Sequence, residues 1–174
     1  APRGLGRFLQ AEEFEARYTG AEVNAGVSLV NFGMEAYAVS RVPDNDIGQA
    51  CINYLNRFRV NTEHVARGGE RLGLFYLETG AAQRPSKIIY DRSHSAIRDC
   101  GPGDFDWDRI CAGKDWLHFS GTAPALGDRL VGALQEGLAA AKRHGLKVSC
   151  DLNYRAKLWS PAEANRVMSA LVPS

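Results

Sequence analysis

The hydrophobic and polar positions of this chain change their period several times, and each change predicts a secondary-structure element. Alternation with a period of two, with aromatic and β-branched residues, predicts strands, whereas apolar residues three and four positions apart predict amphipathic helices. The predicted strands cover residues 14–18, 35–41, 72–78, 87–91, 116–120 and 148–152. The predicted helices cover residues 23–33, 46–58, 126–143 and 161–171, with one further helical turn at 106–110.

Strong apolar stripes and end signals mark three of these helices. The helix at 126–143 carries Leu130, Leu134, Leu138 and Ala141 on one face and ends before Gly145. The helix at 46–58 carries a stripe that should be buried, and the last helix has a capping box with proline in its first turn. The stripe residues of 46–58 are Ile47, Cys51, Leu55 and Phe58, and the capping box is Ser160, Pro161 and Glu163.

The order of elements predicts an α/β protein with an added β-sheet. From residue 116 onward strand and helix alternate, which indicates parallel βαβ units. The strands at 72–78 and 87–91 have no helix between them and are joined by the turn-like sequence GAAQRPS. Together with residues 14–18 they are predicted to form a small antiparallel sheet that lies on the α/β core.

Composition excludes several function classes. The chain has 174 residues, is 45% hydrophobic and has a formal net charge of +1, with scattered basic residues and few aromatics. This pattern does not suggest a binding partner among nucleic acids or anionic membranes. The four cysteines are far apart and have no metal or redox spacing, so a reducing compartment, the cytoplasm, is expected, and no metal site is predicted.

Two polar stretches follow predicted strand ends and are candidates for ligand binding. Asp151, Asn153 and Arg155 follow the last strand, where ligands bind in open α/β sheets, and the Arg fork suits carboxylate or phosphate. The alternative is that Asp151 and Arg155 pair with each other or cap the next helix. The predicted helix after Gly20 and Ala21 would direct free backbone N–H groups at an anion or a hydroxyl-rich ligand; the alternative is an ordinary turn.

Several stretches taken together resemble the ribokinase (PfkB) family of carbohydrate kinases, in particular 2-keto-3-deoxygluconate kinases. They are TGAEVNAGVSLVNFG, SRVPDNDIGQACINYLNRFRVNT, RLGLFYLETGAAQRPSKIIYDRSHSA, LHFSGTAPAL and VSCDLNYRAKLW. The resemblance covers nearly the whole chain in order. It implies a ribokinase-like parallel sheet with flanking helices and a small antiparallel β lid. The whole chain, 1–174, would form part of one domain, with lid strands near 13–19, 72–78 and 86–92.

The resemblance also implies an activity and a set of site residues. It implies ATP-dependent phosphorylation of the sugar acid at its 6-hydroxyl, with ATP and Mg²⁺ as cofactors, and a homodimer through the β lid. Arg92 would meet the substrate carboxylate. The implied sugar-binding residues are Gly20, Ala21, Glu22, Val23, Asn24, Tyr76, Tyr90, Asp91 and Arg92, and the implied nucleotide-side residues are Asn153, Tyr154 and Arg155.

The sequence also departs from the family pattern. Thr19 and Gly20 stand where the family usually has two glycines, and Pro43 stands where many members have glycine. Members of the family have a first sheet strand before the position of Ala1 and, beyond the position of Ser174, a Gly-Ala-Gly-Asp anion hole with the catalytic base. The chain is therefore expected to be truncated at both ends, with its catalytic residues beyond Ser174. Two alternatives stay open: a kinase of a neutral sugar of the fructose or ribose type, and a non-catalytic sugar-binding fragment.

Overall fold

The computed structural model describes residues 1–172, which form five α-helices and six β-strands. The helices are α1 (Ala21–Asn31), α2 (Asp46–Arg57), α3 (Trp107–Cys111), α4 (Asp128–Arg143) and α5 (Pro161–Leu171). The strands are β1 (Ser40–Val42), β2 (Val65–Arg67), β3 (Leu74–Glu78), β4 (Lys87–Asp91), β5 (Trp116–Ser120) and β6 (Lys147–Asp151). No helix in the described part of the chain is long and apolar enough to span a membrane.

The strands pair in three two-stranded sheets. β1 and β2 are parallel and are connected through α2, and β5 and β6 are parallel and are connected through α4. β3 and β4 form an antiparallel hairpin, which we call the lid. The predicted combination of parallel βαβ units and a separate antiparallel hairpin is therefore confirmed.

The main core lies between the β5–β6 pair, α4 and α5. Phe119, Leu134, Leu138 and Trp159 pack there with apolar residues of α5. The stripe predicted on α4 is buried, and Gly145 takes a φ of 72° after the helix ends, a left-handed conformation that glycine adopts without strain. Ser160 Oγ accepts a hydrogen bond from the Glu163 amide, which confirms the predicted cap of α5.

Two sequence predictions are wrong in detail. Residues 13–19 do not form a third lid strand: Phe14 makes only an isolated bridge to Pro2, and its ring packs edge-on against Tyr76 at 6.0 Å. The segment is therefore held to the lid by an aromatic contact instead of a hydrogen-bond ladder. On α2, Leu55 is buried but Ile47 is 58% exposed, because the first turn faces a shallow groove beside the base of the lid.

All four cysteines are free, as the sequence spacing indicates. Cys100 is fully buried, and this burial raises the pKa of its thiol to about 11. A thiol with a raised pKa is a poor nucleophile at neutral pH, so Cys100 is a core residue and not a reactive group.

Candidate functional site

The N-terminus of α1 is anchored to the carboxyl end of β5 by a single glutamate. Glu22 Oε1 accepts hydrogen bonds from the Ser120 hydroxyl at 2.6 Å and from the Ser120 amide at 3.2 Å. Ser120 is fully buried and lies beside Asp151, its register partner at the end of β6. Three polar residues from distant parts of the sequence thus meet at the strand ends, where α/β proteins bind ligands.

The hydrogen bonds around Ser120 have a fixed direction. A carboxylate oxygen only accepts, so Ser120 Oγ donates its one proton to Glu22. Thr122 Oγ1, which lies 2.5 Å from Ser120 Oγ, must then donate to it. The sequence resemblance presents Glu22 as a sugar ligand, but the structure shows its carboxylate bonded to Ser120, a residue that sequence reasoning missed. The sequence feature that could have identified Ser120 as a site residue is its position at the end of a predicted strand, next to Gly121.

Gly20 and the first turn of α1 make up the segment Gly20 to Asn24, and the helix begins at Ala21, two residues earlier than predicted. Gly20 precedes the helix in an extended conformation, and no described side chain caps this helix end. The backbone N–H of Asn24 donates to the Gly20 carbonyl, and Asn24 Oδ1 accepts from the Thr19 hydroxyl at 2.8 Å. The amides of Ala21 and Val23 belong to the first helical turn, where backbone donors have no intrahelical acceptor. They are available to a ligand.

The loop after β6 is shaped by Asp151. Its carboxylate accepts the Asn153 amide at 3.0 Å, and Asn153 adopts a φ of 39°, a left-handed conformation that asparagine tolerates. Asp151 forms no ion pair with Arg155 in the described residues, and Ser160 caps α5, so neither structural alternative for Asp151 holds. The exposed Arg155 side chain has, among the described hydrogen bonds, one to the adjacent Tyr154 carbonyl at 3.4 Å.

The lid directs one face towards this loop. Tyr90 is the register partner of Phe75, and their rings lie 6.4 Å apart on the same face. The Arg92 guanidinium lies 4.6 Å from the centre of the Tyr90 ring, a cation–π distance. Lys157, from the loop after β6, donates to the Ile88 carbonyl of β4 at 3.1 Å. Tyr90, which carries Arg92 over its ring, therefore lies near Lys157 in the loop that also carries Asn153 and Arg155.

Tyr76 lies on the opposite face of the lid. Its register partner is Ile89, and residues that pair directly across an antiparallel ladder share a face. Tyr76 therefore points away from Tyr90 and contacts Phe14. The structure does not bring the two predicted tyrosines together, and the assignment of Tyr76 as a sugar ligand stays a prediction.

Asp91 has a partner that the sequence did not reveal. Arg71 donates two hydrogen bonds of 2.7 Å to the Asp91 carboxylate, one to each oxygen. The neighbouring Arg92 lies over the Tyr90 ring and not beside Asp91. The hydrogen bonds from Arg71 lower the pKa of the Asp91 carboxyl below its ordinary value. The Arg71–Asp91 pair closes the base of the lid. Because the Asp91 carboxylate is bonded to Arg71, it does not compete with a ligand for Arg92.

Replacing Arg71 should be visible in the titration of Asp91. Arg71→Met removes both charge-assisted hydrogen bonds, so the pKa of the Asp91 carboxyl should rise towards its ordinary value. Because the pKa is lowered in the folded state, the stability from this pair is present above the ordinary carboxyl pKa and is lost as the pH falls through the lowered value. Carboxyl ¹³C NMR titration measures the change. Arg98→Met is the matched control, and an unchanged Asp91 titration in R71M would contradict the assignment.

Comparison with known proteins supports the architecture around this site. The pfkB family carbohydrate kinase profile matches residues 6–174. The crystal structure of a 2-dehydro-3-deoxygluconokinase from Thermotoga maritima superimposes with a TM-score of 0.95 at 46% identity, covering 97% of this chain and 52% of that protein. A pfkB family carbohydrate kinase from Listeria grayi superimposes with a TM-score of 0.92 at 36% identity, covering 95% and 52%.

Sequence similarity to a curated relative also points to a carbohydrate kinase. A 2-dehydro-3-deoxygalactonokinase from Haloferax volcanii is 34% identical over 96% of this chain and 52% of its own length. A profile match of this extent defines the class: the chain belongs to the pfkB family of carbohydrate kinases. It spans about half the length of the curated relatives it matches.

Proposed function

We propose that the protein containing this chain is an ATP-dependent kinase that phosphorylates a 2-keto-3-deoxy sugar acid, 2-keto-3-deoxygluconate, at its 6-hydroxyl. The observation that carries this proposal is the Tyr90–Arg92 face of the lid beside the loop after β6. A guanidinium held against a rigid aromatic ring is well placed to bind a carboxylate through two parallel hydrogen bonds. The similar proteins named as kinases of 2-dehydro-3-deoxy sugar acids support the same substrate class.

In this proposal the sugar hydroxyls meet the first turn of α1. The segment from Gly20 to Asn24 supplies the backbone N–H groups of Ala21 and Val23 and the Asn24 side chain, while the Glu22 carboxylate fixes the turn to Ser120. The lid covers the sugar with Tyr90 and Arg92, and Asp91 holds the lid base through Arg71. Closure of such a lid excludes water, so that phosphate passes to the sugar hydroxyl and not to solvent.

The nucleotide side of the proposed site fits phosphate better than it fits a metal. Arg155 is exposed and has no acidic partner in the described residues, and Asn153 and Tyr154 belong to the same loop. These residues would bind the phosphates of ATP. No group of three or more acidic, histidine or cysteine side chains in residues 1–172 is arranged to hold a metal ion. We place the catalytic base outside this chain.

The experiment that tests this function starts from the protein as its own gene encodes it. Intact mass spectrometry defines the chain length, and a coupled assay then compares ATP turnover with 2-keto-3-deoxygluconate, its galactonate epimer, fructose and ribose. We expect turnover with the sugar acids and a product with phosphate on O6 by ³¹P NMR. Equal activity on neutral sugars would replace this proposal with a neutral-sugar kinase. Saturable sugar binding without turnover would replace it with a sugar-binding module.

We also propose that two copies associate through the outer face of the lid. Leu74, Tyr76 and Ile89 share this face, and Phe14 packs against Tyr76 from the N-terminal segment. Each of these four side chains is more than a third exposed, which is unusual for neighbouring apolar residues on a monomer. Sedimentation velocity of the purified protein tests the proposal, and a concentration-independent monomer would rule it out.

A further inference from the structure

The lid has few connections to the rest of the molecule. On its N-terminal side, the Phe8 amide donates to Glu78 at 2.9 Å, and Arg84 donates to the Leu5 carbonyl at 2.8 Å. Both contacts join the lid to the first few residues of the chain. Among the described hydrogen bonds, the one from Lys157 joins the lid to the loop after β6. The orientation of β4 over that loop therefore depends strongly on one side chain.

The position of Lys157 couples two parts of the candidate site. Lys157 lies two residues after Arg155, and its acceptor Ile88 lies two residues before Tyr90. The ammonium is also 5.8 Å from the centre of the Tyr90 ring, which has Arg92 at 4.6 Å. One 3.1 Å hydrogen bond thus fixes the distance between the proposed carboxylate-binding face and the proposed phosphate-binding loop.

We propose that Lys157 is the positioning residue that latches the lid over the loop after β6. The inference rests on the proposed kinase function and adds a residue to it. β4 has no strand partner other than β3 in the described residues, so the Lys157 ammonium gives it a tie to the α/β core. With the tie in place, Tyr90 and Arg92 stay above Asn153 and Arg155. Without it, the lid is held mainly at its base and at its N-terminal contacts.

Loss of the latch should have two kinetic consequences. The sugar would be bound less tightly, because Arg92 and Tyr90 would spend more time away from it. Water would also enter the site more often, so that ATP would be hydrolysed without transfer to the sugar. Because a latch acts on the lid and not on the substrate carboxylate, the effect on KM should be similar for an acid and for a neutral sugar analogue.

The experiment uses three variants of the protein as its gene encodes it. Lys157→Met keeps the length of the side chain but removes its donors, Lys157→Arg keeps a donor, and Lys142→Met is a control on the exposed C-terminal turn of α4. We expect K157M to raise KM for 2-keto-3-deoxygluconate about five- to thirty-fold, as for one charged hydrogen bond. It should also increase the ADP formed per sugar phosphate. K157R should restore both values, and K142M should change neither.

Hydrogen–deuterium exchange separates the latch from the proposed function. In K157M the amides of residues 87–92 should exchange faster than in the unsubstituted protein, whereas in K142M they should not. This readout does not require activity, so it stands even if no sugar acid is phosphorylated. Unchanged exchange in K157M would overturn the latch. So would a rise in KM confined to acid substrates with an unchanged ratio of ADP to sugar phosphate, which would make Lys157 a direct carboxylate ligand.

Discussion

Replacing Arg92 with alanine should raise KM for 2-keto-3-deoxygluconate by about 30- to 150-fold, or ~2–3 kcal/mol of binding free energy. The guanidinium is held at 4.6 Å over the Tyr90 ring, so it is already oriented before a ligand arrives. A pre-oriented fork loses little side-chain entropy when it binds a carboxylate through two hydrogen bonds. The proposed site should therefore depend on Arg92 more than on any other charged side chain of the lid.

Three comparisons make the test of Arg92 specific. Arg98→Ala removes the same charge from the exposed loop after the lid and should leave KM unchanged. Arg92→Lys keeps the charge but not the planar fork, so it should recover only part of the affinity. A neutral analogue of the substrate should be almost insensitive to R92A. If R92A kept the KM of the unsubstituted protein for the acid, Arg92 would not be its carboxylate partner.

Local sequence signals predicted much of the fold because they act over a few residues. The Ser160 cap and the glycine after α4 were readable from residue type and spacing, and the structure confirms them. The alternation of strand and helix after Trp116 correctly predicted a parallel pair with its helix. It also located the carboxyl end of β6, and hence the loop with Asn153 and Arg155.

The partners of the site residues could not be predicted because they depend on tertiary packing. Glu22 bonds to Ser120 across 98 positions, and Lys157 reaches Ile88 across 69. The period of residues 14–18 predicted a strand, but a strand also needs a neighbouring ladder, and in the described residues this segment has an isolated bridge from Phe14 to Pro2 instead. Likewise, Asp91 pairs with Arg71, twenty positions away in the sequence, and not with the adjacent Arg92, because successive strand residues point to opposite faces.

Gly121 joins the two strand ends at the centre of the site, and its replacement should have a large effect on stability. Its amide donates to the Asp151 carbonyl at 2.8 Å. A Cβ built on Gly121 would lie 2.1 Å from the Leu152 carbonyl oxygen, far inside van der Waals contact, and this oxygen belongs to the backbone, so it cannot move aside alone. Accommodating alanine would require the start of the loop after β6 to move. We expect Gly121→Ala to lower the free energy of unfolding by about 3 kcal/mol in urea denaturation.

The same movement should affect binding, because Leu152 directly precedes Asn153. A shifted loop would misplace Arg155 and weaken the hydrogen bond from Lys157, so ATP turnover should fall together with stability. Gly26→Ala is the matched control: its Cβ would lie 3.7 Å from Ala36 Cβ, an ordinary contact, and alanine favours the α1 helix by roughly 0.5–1 kcal/mol. Equal stability of G121A and G26A would show that the loop after β6 is not held against β5 as the structure describes. A G121A variant that is stable but has lost ATP turnover would show that activity depends on the position of the loop independently of the stability of the fold.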